Sequence, residues 1–297
     1  MSTSQAGILA DFPDLSRYLE FNLLPDSDPA PVLRDLAARN PGAEMVIGIG
    51  SGLVSALKGS VPGMRAFPAM SGPGVEVPST QADVWCWIRG TDRGEITHLG
   101  RSVTAQLSPA FERSRLVDGF KFDVSREIGR DLSGYEDGTE NPSGDDAVEA
   151  AITQGAGAGI DGSSFVGVQK WVHDLDHFQS LSGDDRDNIF GRHMSDNEEF
   201  DEAPESAHVK RTAQESFDPE AFVVRRSMPW SDETGEGLVF VSFGKSLDAF
   251  EAQLRRMTGQ EDGIIDGLFR FTRSVSGSYF WCPPVTDGQL DLTALGL

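Results

Sequence analysis

Trp85 to Arg93, W-C-W-I-R-G-T-D-R, and Val239 to Leu247, V-F-V-S-F-G-K-S-L, follow one pattern in the two halves of the chain. Each is an apolar strand ended by a glycine (Gly90, Gly244), then a hydroxyl residue suited to capping a helix, then an amphipathic run. After Thr91, the residues Ile96, Leu99, Val103 and Leu107 share one helical face. After Ser246, Leu247, Phe250 and Leu254 do the same in a helix reaching Met257.

Around these units the remaining elements fall into place. Arg17–Leu23, Glu44–Ile49 and Asp83–Arg89 read as strands, and Pro29–Ala38 as a helix opened by Asp28 or Pro29. Phe120–Val124 closes the first half as a strand. Phe165–Val172, Phe222–Arg226, Leu238–Phe243 and a last strand, Tyr279–Cys282, build the second half, with a short helix over Asp174–Leu181. Two β-α-β-β-α-β halves predict an α+β protein of duplicated ferredoxin-like halves, the dimeric α+β barrel type with antiparallel sheets. Residues 1–130 form the first half, 131–160 a loop and linker, and 161–297 the second half. Gly59–Pro78 reads as loop, and 183–220 as an insertion of a length that usually carries function. Neither half has a phosphate-cradling glycine fingerprint, which disfavours a dinucleotide fold.

The chain has 297 residues, of which 38% are hydrophobic, with 18 Phe and 5 Trp, enough to fill a sizeable core. Its net charge of −22 argues against nucleic acid or an anionic membrane as partner. No apolar run is long enough for a membrane span, and the N-terminal stretch lacks the basic region of a secretory signal. Cys86 and Cys282 sit in aromatic runs and read as buried reduced thiols. A cytoplasmic protein is expected.

Arg130 to Pro142, R-D-L-S-G-Y-E-D-G-T-E-N-P, brackets an aromatic and two carboxylates between glycines and closes on Asn-Pro. Gly134 and Gly138 permit backbone angles closed to other residues, and Pro142 turns the chain away from helix. Asp137 is thereby placed in a rigid irregular loop, although Asp-Gly pairs also mark ordinary turns. Among the five histidines, His173 and His177 are separated by a strand-to-helix break that disfavours a metal pair, and His98 falls on a polar helix face. His208, taken alone, reads as a surface histidine. In an alternating strand Arg225 and Arg226 face opposite sides, one towards a cavity and the other towards solvent.

Taken in order, the Arg130–Pro142 loop, I-F-G-R, A-H-V-K-R, V-V-R-R-S-M-P-W and F-R-F-T-R-S-V-S-G-S-Y-F-W-C-P-P resemble the dye-decolourising peroxidase family, in particular its compact bacterial members. The resemblance runs from about Ile8 to Pro284. It implies ferredoxin-like halves enclosing a haem b pocket and a peroxidase that reduces hydrogen peroxide. Dyes or other small organic reductants would then be oxidised by one-electron steps through a ferryl intermediate, best in acid. By the same resemblance His208 is the proximal iron ligand and Asp266 orients its imidazole. Asp137, Arg225 and Ser227 are the distal catalytic residues, and Arg225, Gly138 and Thr139 also contact the cofactor. Asp137 would shuttle a proton between the peroxide oxygens, while Arg225, always charged, would stabilise charge as the O–O bond breaks. Trp171, Trp230, Trp281 and Tyr279 are candidates for relaying electrons to bulky dyes, with core packing as their plainer role. A homo-oligomer is expected, and an encapsulating shell is a conceivable partner for the tail Asp287–Leu297, though a disordered end is the simpler expectation.

The chain departs from the family pattern at three places. Ala207 replaces a common Ser, Trp230-Ser231 an aromatic-Gly pair, and Ser227 stands where some relatives have Asn. Two other readings compete with a peroxidase. A haem carrier or iron-release protein of the same fold would need neither Asp137 nor Arg225, and a haem-free α+β binding module would need no His208.

Overall fold

The computed structural model describes residues 2–39, 41–123 and 129–297. In the N-terminal half β1 (Leu15–Leu23), α1 (Ala30–Ala37), β2 (Met45–Ile49) and α2 (Ser51–Ala56) lead to a small hairpin, β3 (Met70–Gly72) and β4 (Val75–Val77). β5 (Val84–Gly90), α3 (Arg93–Leu107) and β6 (Phe111–Phe120) complete this half. After α4 (Gly144–Ala151) comes β7 (Ser164–His173), then α5 (Leu175–Ser180), α6 (Gly183–Phe190) and α7 (His208–Arg211). Next are β8 (Val224–Arg225), β9 (Met228–Asp232), β10 (Gly235–Gly244), α8 (Asp248–Met257), β11 (Thr272–Ser274) and β12 (Ser278–Cys282). A last hairpin, β13 (Val285–Thr286) and β14 (Gln289–Leu290), follows.

Eight strands close into an antiparallel ring in the order β7-β12-β2-β5-β1-β6-β9-β10, with β10 returning to pair with β7. The strand period of two sorts the side chains. Trp85 and Trp87 point into the ring, where they stack with Phe280 and Phe243 at centroid distances of 5.9 and 6.0 Å. Cys86 and Ile88 point outward and bury against Ile96 and Val103 of α3. Aromatic pairs of this kind each add ~0.5–1.5 kcal/mol beyond their buried area. The interior is therefore a packed core, and any ligand site has to lie outside it.

The two halves meet at two seams, each a single paired position, Ile49 with Trp281 and Gly119 with Trp230. Glycine stands at both. A Cβ on Gly48 would lie 2.6 Å from Phe280 Cβ, and one on Gly119 would lie 3.2 Å from the Pro229 carbonyl oxygen.

Several sequence expectations change. Asp92, not Thr91, caps α3, its carboxylate accepting from Glu95 N–H at 2.9 Å. The strand closing the first half is Phe111–Phe120, which its run of charged residues concealed; of the expected Phe120–Val124, Val124 lies outside the described residues. Helix α8 begins at Asp248, two residues after the expected Ser246 cap. The Gly59–Pro78 stretch holds the β3–β4 hairpin, and α2 was not foreseen. Tyr279–Cys282 is not the last strand, and the tail is ordered by Leu290, Leu292 and Leu295, all buried in the main core. The cysteines are buried and unpaired as expected. Among the described residues no helix is long and apolar enough to cross a membrane.

Gly48→Ala is expected to cost ~1–3 kcal/mol, the usual range for overpacking a fixed contact. Gly183→Ala, whose Cβ would meet nothing within 4 Å, serves as the neutral control. Urea midpoints of the two variants check this.

Candidate active site

In the N-terminal half the outer face of the sheet is filled by α1 and α3. In the C-terminal half the corresponding face of β7 and β10 stands apart from α7 and α8 and leaves a cavity. Leu238, Phe240, Leu254 and Met257 make much of its wall apolar, and the Asp131–Glu140 stretch supplies one side of its polar lining.

That stretch is held by its own backbone. Asp131 N–H bonds the Tyr135 carbonyl at 2.9 Å, Asp137 N–H bonds that of Gly129 at 3.2 Å, and Arg130 Nη1 donates to the Gly134 carbonyl at 2.7 Å. Gly134 and Gly138 both adopt φ of +94°, which side-chain-bearing residues avoid. Asn141 then fastens the loop to the other half of the cavity. Its Nδ2 donates to the Arg225 carbonyl at 3.0 Å, and its Oδ1 accepts from Arg225 N–H at 2.8 Å. Asn141 thus takes the place of a strand partner for Arg225.

Asp137, Gly138, Thr139, Arg225 and His208 all line this cavity. Burial pushes the Asp137 carboxyl above the usual carboxylate range; the Arg225 charge works against that rise, and the nearby Asp131 adds to it. The buried Arg225 Nε has no hydrogen-bond partner among the described residues. His208 opens α7 and gives Nδ1 to Asp266 Oδ2 at 2.8 Å. Asp266 is fully buried, and its other oxygen accepts from Leu268 N–H at 2.8 Å. This bond fixes the imidazole's orientation and leaves Nε2 as the free ligating atom. Arg211 anchors the same helix through a bidentate pair with Asp262, at 2.7 and 2.8 Å.

Two expectations about the arginine strand are corrected. β8 ends at Arg225 and β9 starts at Met228, so alternation breaks between them. Arg226 therefore does not meet solvent: it is buried, stacked over Phe12 at 5.2 Å and bonded to the Leu9 carbonyl at 3.3 Å. Ser227 lies off the main cavity, on a small adjoining pocket that it shares with Asp137, and its hydroxyl accepts from Val241 N–H at 3.4 Å.

Sequence reasoning missed a second histidine–carboxylate pair on the cavity wall. His173 bonds Asp131 through Nε2 at 3.0 Å and Thr272 through Nδ1 at 2.7 Å. Burial pushes the Asp131 carboxyl up, but His173 and the Ser133 contacts outweigh it and hold it below the usual range. The available signal was His173 in W-V-H-D, read only as half of a metal pair. The whole arrangement suits a largely apolar ligand with a Lewis-acidic centre for His208 Nε2 and an anionic group for Arg225.

Such a site defines a protein shaped to hold a cofactor. The model of the Dyp-type peroxidase C-terminal domain matches residues 129–287, more than half the chain. The chain belongs to the Dyp-type peroxidase family. It is 31% identical over 227 residues to the dye-decolorizing peroxidase of Brevibacterium linens, covering 74% of this chain and 61% of that one. The dye-decolorizing peroxidase of Mycobacterium tuberculosis is 31% identical over 229 residues, covering 75% and 67%. The match therefore spans less than two thirds of the Brevibacterium protein. Among solved structures, the dye-decolorizing protein from V. cholerae superposes with a TM-score of 0.85 at 25% identity, covering 99% of both chains. A variant of DypB from Rhodococcus jostii in complex with heme gives 0.84 at 26%, covering 95% of this chain and 96% of that one.

A carboxyl whose pKa is raised by folding costs stability above the ordinary carboxylate range, where only the unfolded chain ionises it freely. Asp137→Asn is therefore expected to raise the unfolding midpoint of the ligand-free protein at neutral pH. The gain should shrink as pH falls and vanish where both states are protonated; thermal melts across pH check it.

Proposed function

We propose that this chain is a haem peroxidase of the dye-decolourising type, reducing hydrogen peroxide and oxidising organic reductants one electron at a time. The observation that carries this reading is a single cavity holding an imidazole fixed by a buried carboxylate, a buried carboxyl and a guanidinium whose Nε has no partner among the described residues. The lining fits haem b: an apolar slot, an open His208 Nε2 for the iron, and Arg225 for a propionate or the peroxide. The protein would carry the site on two ferredoxin-like halves, 1–130 and 161–297, joined by 131–160.

Bound there, haem supplies the iron at which the peroxide O–O bond is broken. Asp137 takes the proton from one peroxide oxygen and returns it to the other, which requires the ionised form at the outset. Arg225 donates to the oxygen on which negative charge grows. Gly138 and Thr139 bring the loop backbone against the ligand, and Ser227, behind Asp137, helps shape that side of the site. Because burial raises the Asp137 pKa, the peroxide step loses rate in acid. An acid optimum towards dyes would then arise at the later, reductant-oxidising steps. A haem carrier needs neither Asp137 nor Arg225 in the cavity, so that alternative is not favoured.

His208→Ala should abolish haem retention. Asp266→Asn should weaken haem affinity by ~10–100-fold, the usual cost of losing a partner of a ligating histidine. Haem titration of both variants measures this; unchanged affinity in His208→Ala would remove the proposed ligand.

Arg225→Leu should slow the reaction with peroxide more than Asp137→Ala. Loss of one preorganised donor costs ~10²–10³-fold, and loss of a general acid–base group costs ~10²–10⁴-fold. The ranges overlap, but the substitutions are not equivalent. Water can carry a proton in place of Asp137, whereas removing Arg225 also removes the charge that opposes the rise of the Asp137 pKa. Asn141 holds only the backbone of Arg225, so the substitution leaves the loop in place. Stopped-flow rates against pH test both parts: Arg225→Leu should be the slower variant, with its acid limb moved to higher pH.

A further inference from the structure

Tyr135 lies two residues before Asp137 in the cavity wall and is almost fully buried. Its ring stacks on Phe190, another wall residue, at 3.9 Å. Its hydroxyl turns away from the cavity and donates to Asp187 Oδ1. The other oxygen of Asp187 meets His193 Nδ1 at 3.0 Å, and Met194 N–H also donates to this carboxylate at 3.2 Å. His193 is on the surface, half exposed and stacked on Phe200 at 4.9 Å. A phenol in the cavity wall is thus joined through one carboxylate to an exposed imidazole–aromatic pair. Among the described residues the buried hydroxyls of Tyr18 and Tyr279 have no hydrogen-bond partner at bonding distance.

We propose that Tyr135 is the electron exit from the cavity, with Asp187 as its proton acceptor, and that the reductant it serves is a cationic aromatic molecule docking on His193 and Phe200. This rests on the peroxidase reading above. Hydrogen peroxide, in leaving as water, removes two electrons from the loaded cavity. Tyr135 returns one of them. Its Oη–H bond breaks, the proton passes to Asp187 to form an O–H bond there, and a neutral phenoxyl remains. The surface reductant then gives one electron to the phenoxyl while Asp187 returns the proton, which restores both groups. The phenoxyl so formed is neutral, so no cation is left in the apolar wall, whereas a phenol without a proton acceptor would have to carry one.

Charge selects the reductant. Asp196 and Glu198 both act on His193, and exposed Glu199, Asp201 and Glu202 continue the acidic run, with Glu199 paired to Arg192. Of the cations nearby, Arg186 faces Tyr135 and Arg192 is occupied by Glu140 and Glu199. The bond to Asp187 raises the His193 pKa, and burial followed by the same carboxylate raises that of Tyr135, as expected for one shared proton network. Of the sequence candidates, Trp230, Trp281 and Tyr279 are buried in the packed core, and Trp171, which lines the cavity, gives its indole N–H to the Gln169 amide oxygen and not to a carboxylate.

The test uses the haem-loaded protein mixed with hydrogen peroxide, with crystal violet as cationic reductant and an anthraquinone sulfonate as anionic one. Rapid-freeze paramagnetic resonance should show a tyrosyl signal in the parent protein that is absent in Tyr135→Phe, which keeps the ring stack. Asp187→Asn should keep the parent rate of Soret change with peroxide but oxidise crystal violet at least tenfold more slowly, with little change for the sulfonate. In the haem-free protein the same substitution should lower the His193 titration midpoint seen by NMR. A tyrosyl signal that survives in Tyr135→Phe, or parent rates with crystal violet in Asp187→Asn, overturns the exit route alone. A parent protein whose Soret band does not respond to peroxide overturns the peroxidase reading and the route with it.

Discussion

The side-chain amide of Asn141 does what a strand would otherwise do: it gives Arg225 both a backbone donor and a backbone acceptor. The rest of the site depends on that pair. Asp137 lies on a loop whose internal bonds fix its shape but not its position over the C-terminal half. Arg225 lies on a two-residue strand too short to be rigid by itself. Joining them through two short bonds places an acid and a cation beside one another where charges interact strongly. The same bonds satisfy polar groups that would be costly to bury unpaired.

The sheet explains why the cavity lies where it does. A closed ring of strands whose interior is filled with Trp85, Trp87, Phe243 and Phe280 has no room for a ligand. The ring's outer face is the remaining large apolar surface. In the first half α3 covers that face closely, but in the second α8 meets the sheet at Phe250, against Phe240, while His208 of α7 and Leu254 and Met257 of α8 line a cavity. The sheet therefore has one closely covered part and one open part. The asymmetry comes from the inserted chain and not from the strands.

Strands and the two long helices were legible because their apolar periods are local. The matched units ending at Gly90 and Gly244 reappear as β5–α3 and β10–α8. What was not legible depended on distant partners. β6 carries Glu112, Arg113 and Arg115, charges that obscure its alternation until Glu20 is found to pair with Arg115 across β1. The tail reads as an end only until Leu290, Leu292 and Leu295 are placed against the core. At the site, Asp137, Arg225 and His208 were legible through a pattern of motifs, since no local rule distinguishes them. Asp131, His173 and Tyr135 escaped because each acquires its chemistry from a residue far along the chain. Arg226 was misplaced because alternation was carried past the end of a strand.

The charges around the cavity have a direction. Behind His208 sits the buried Asp266 carboxylate, held by one backbone N–H and the imidazole. On another wall stands Arg225, which pairs with no anion at bonding distance among the described residues. Isolated, each would be expensive to bury. Placed on either side of a ligand that takes a nitrogen donor at one point and presents anionic oxygen at another, each gains the partner it lacks. Negative charge near His208 makes the imidazole a stronger donor, and positive charge at Arg225 favours electron density moving away from it. The polarity is already present in the folded chain, so little reorganisation is needed when the ligand reacts. Burial raises the Asp137 pKa and Arg225 draws it back down, which ties the charge state of one residue to the presence of the other.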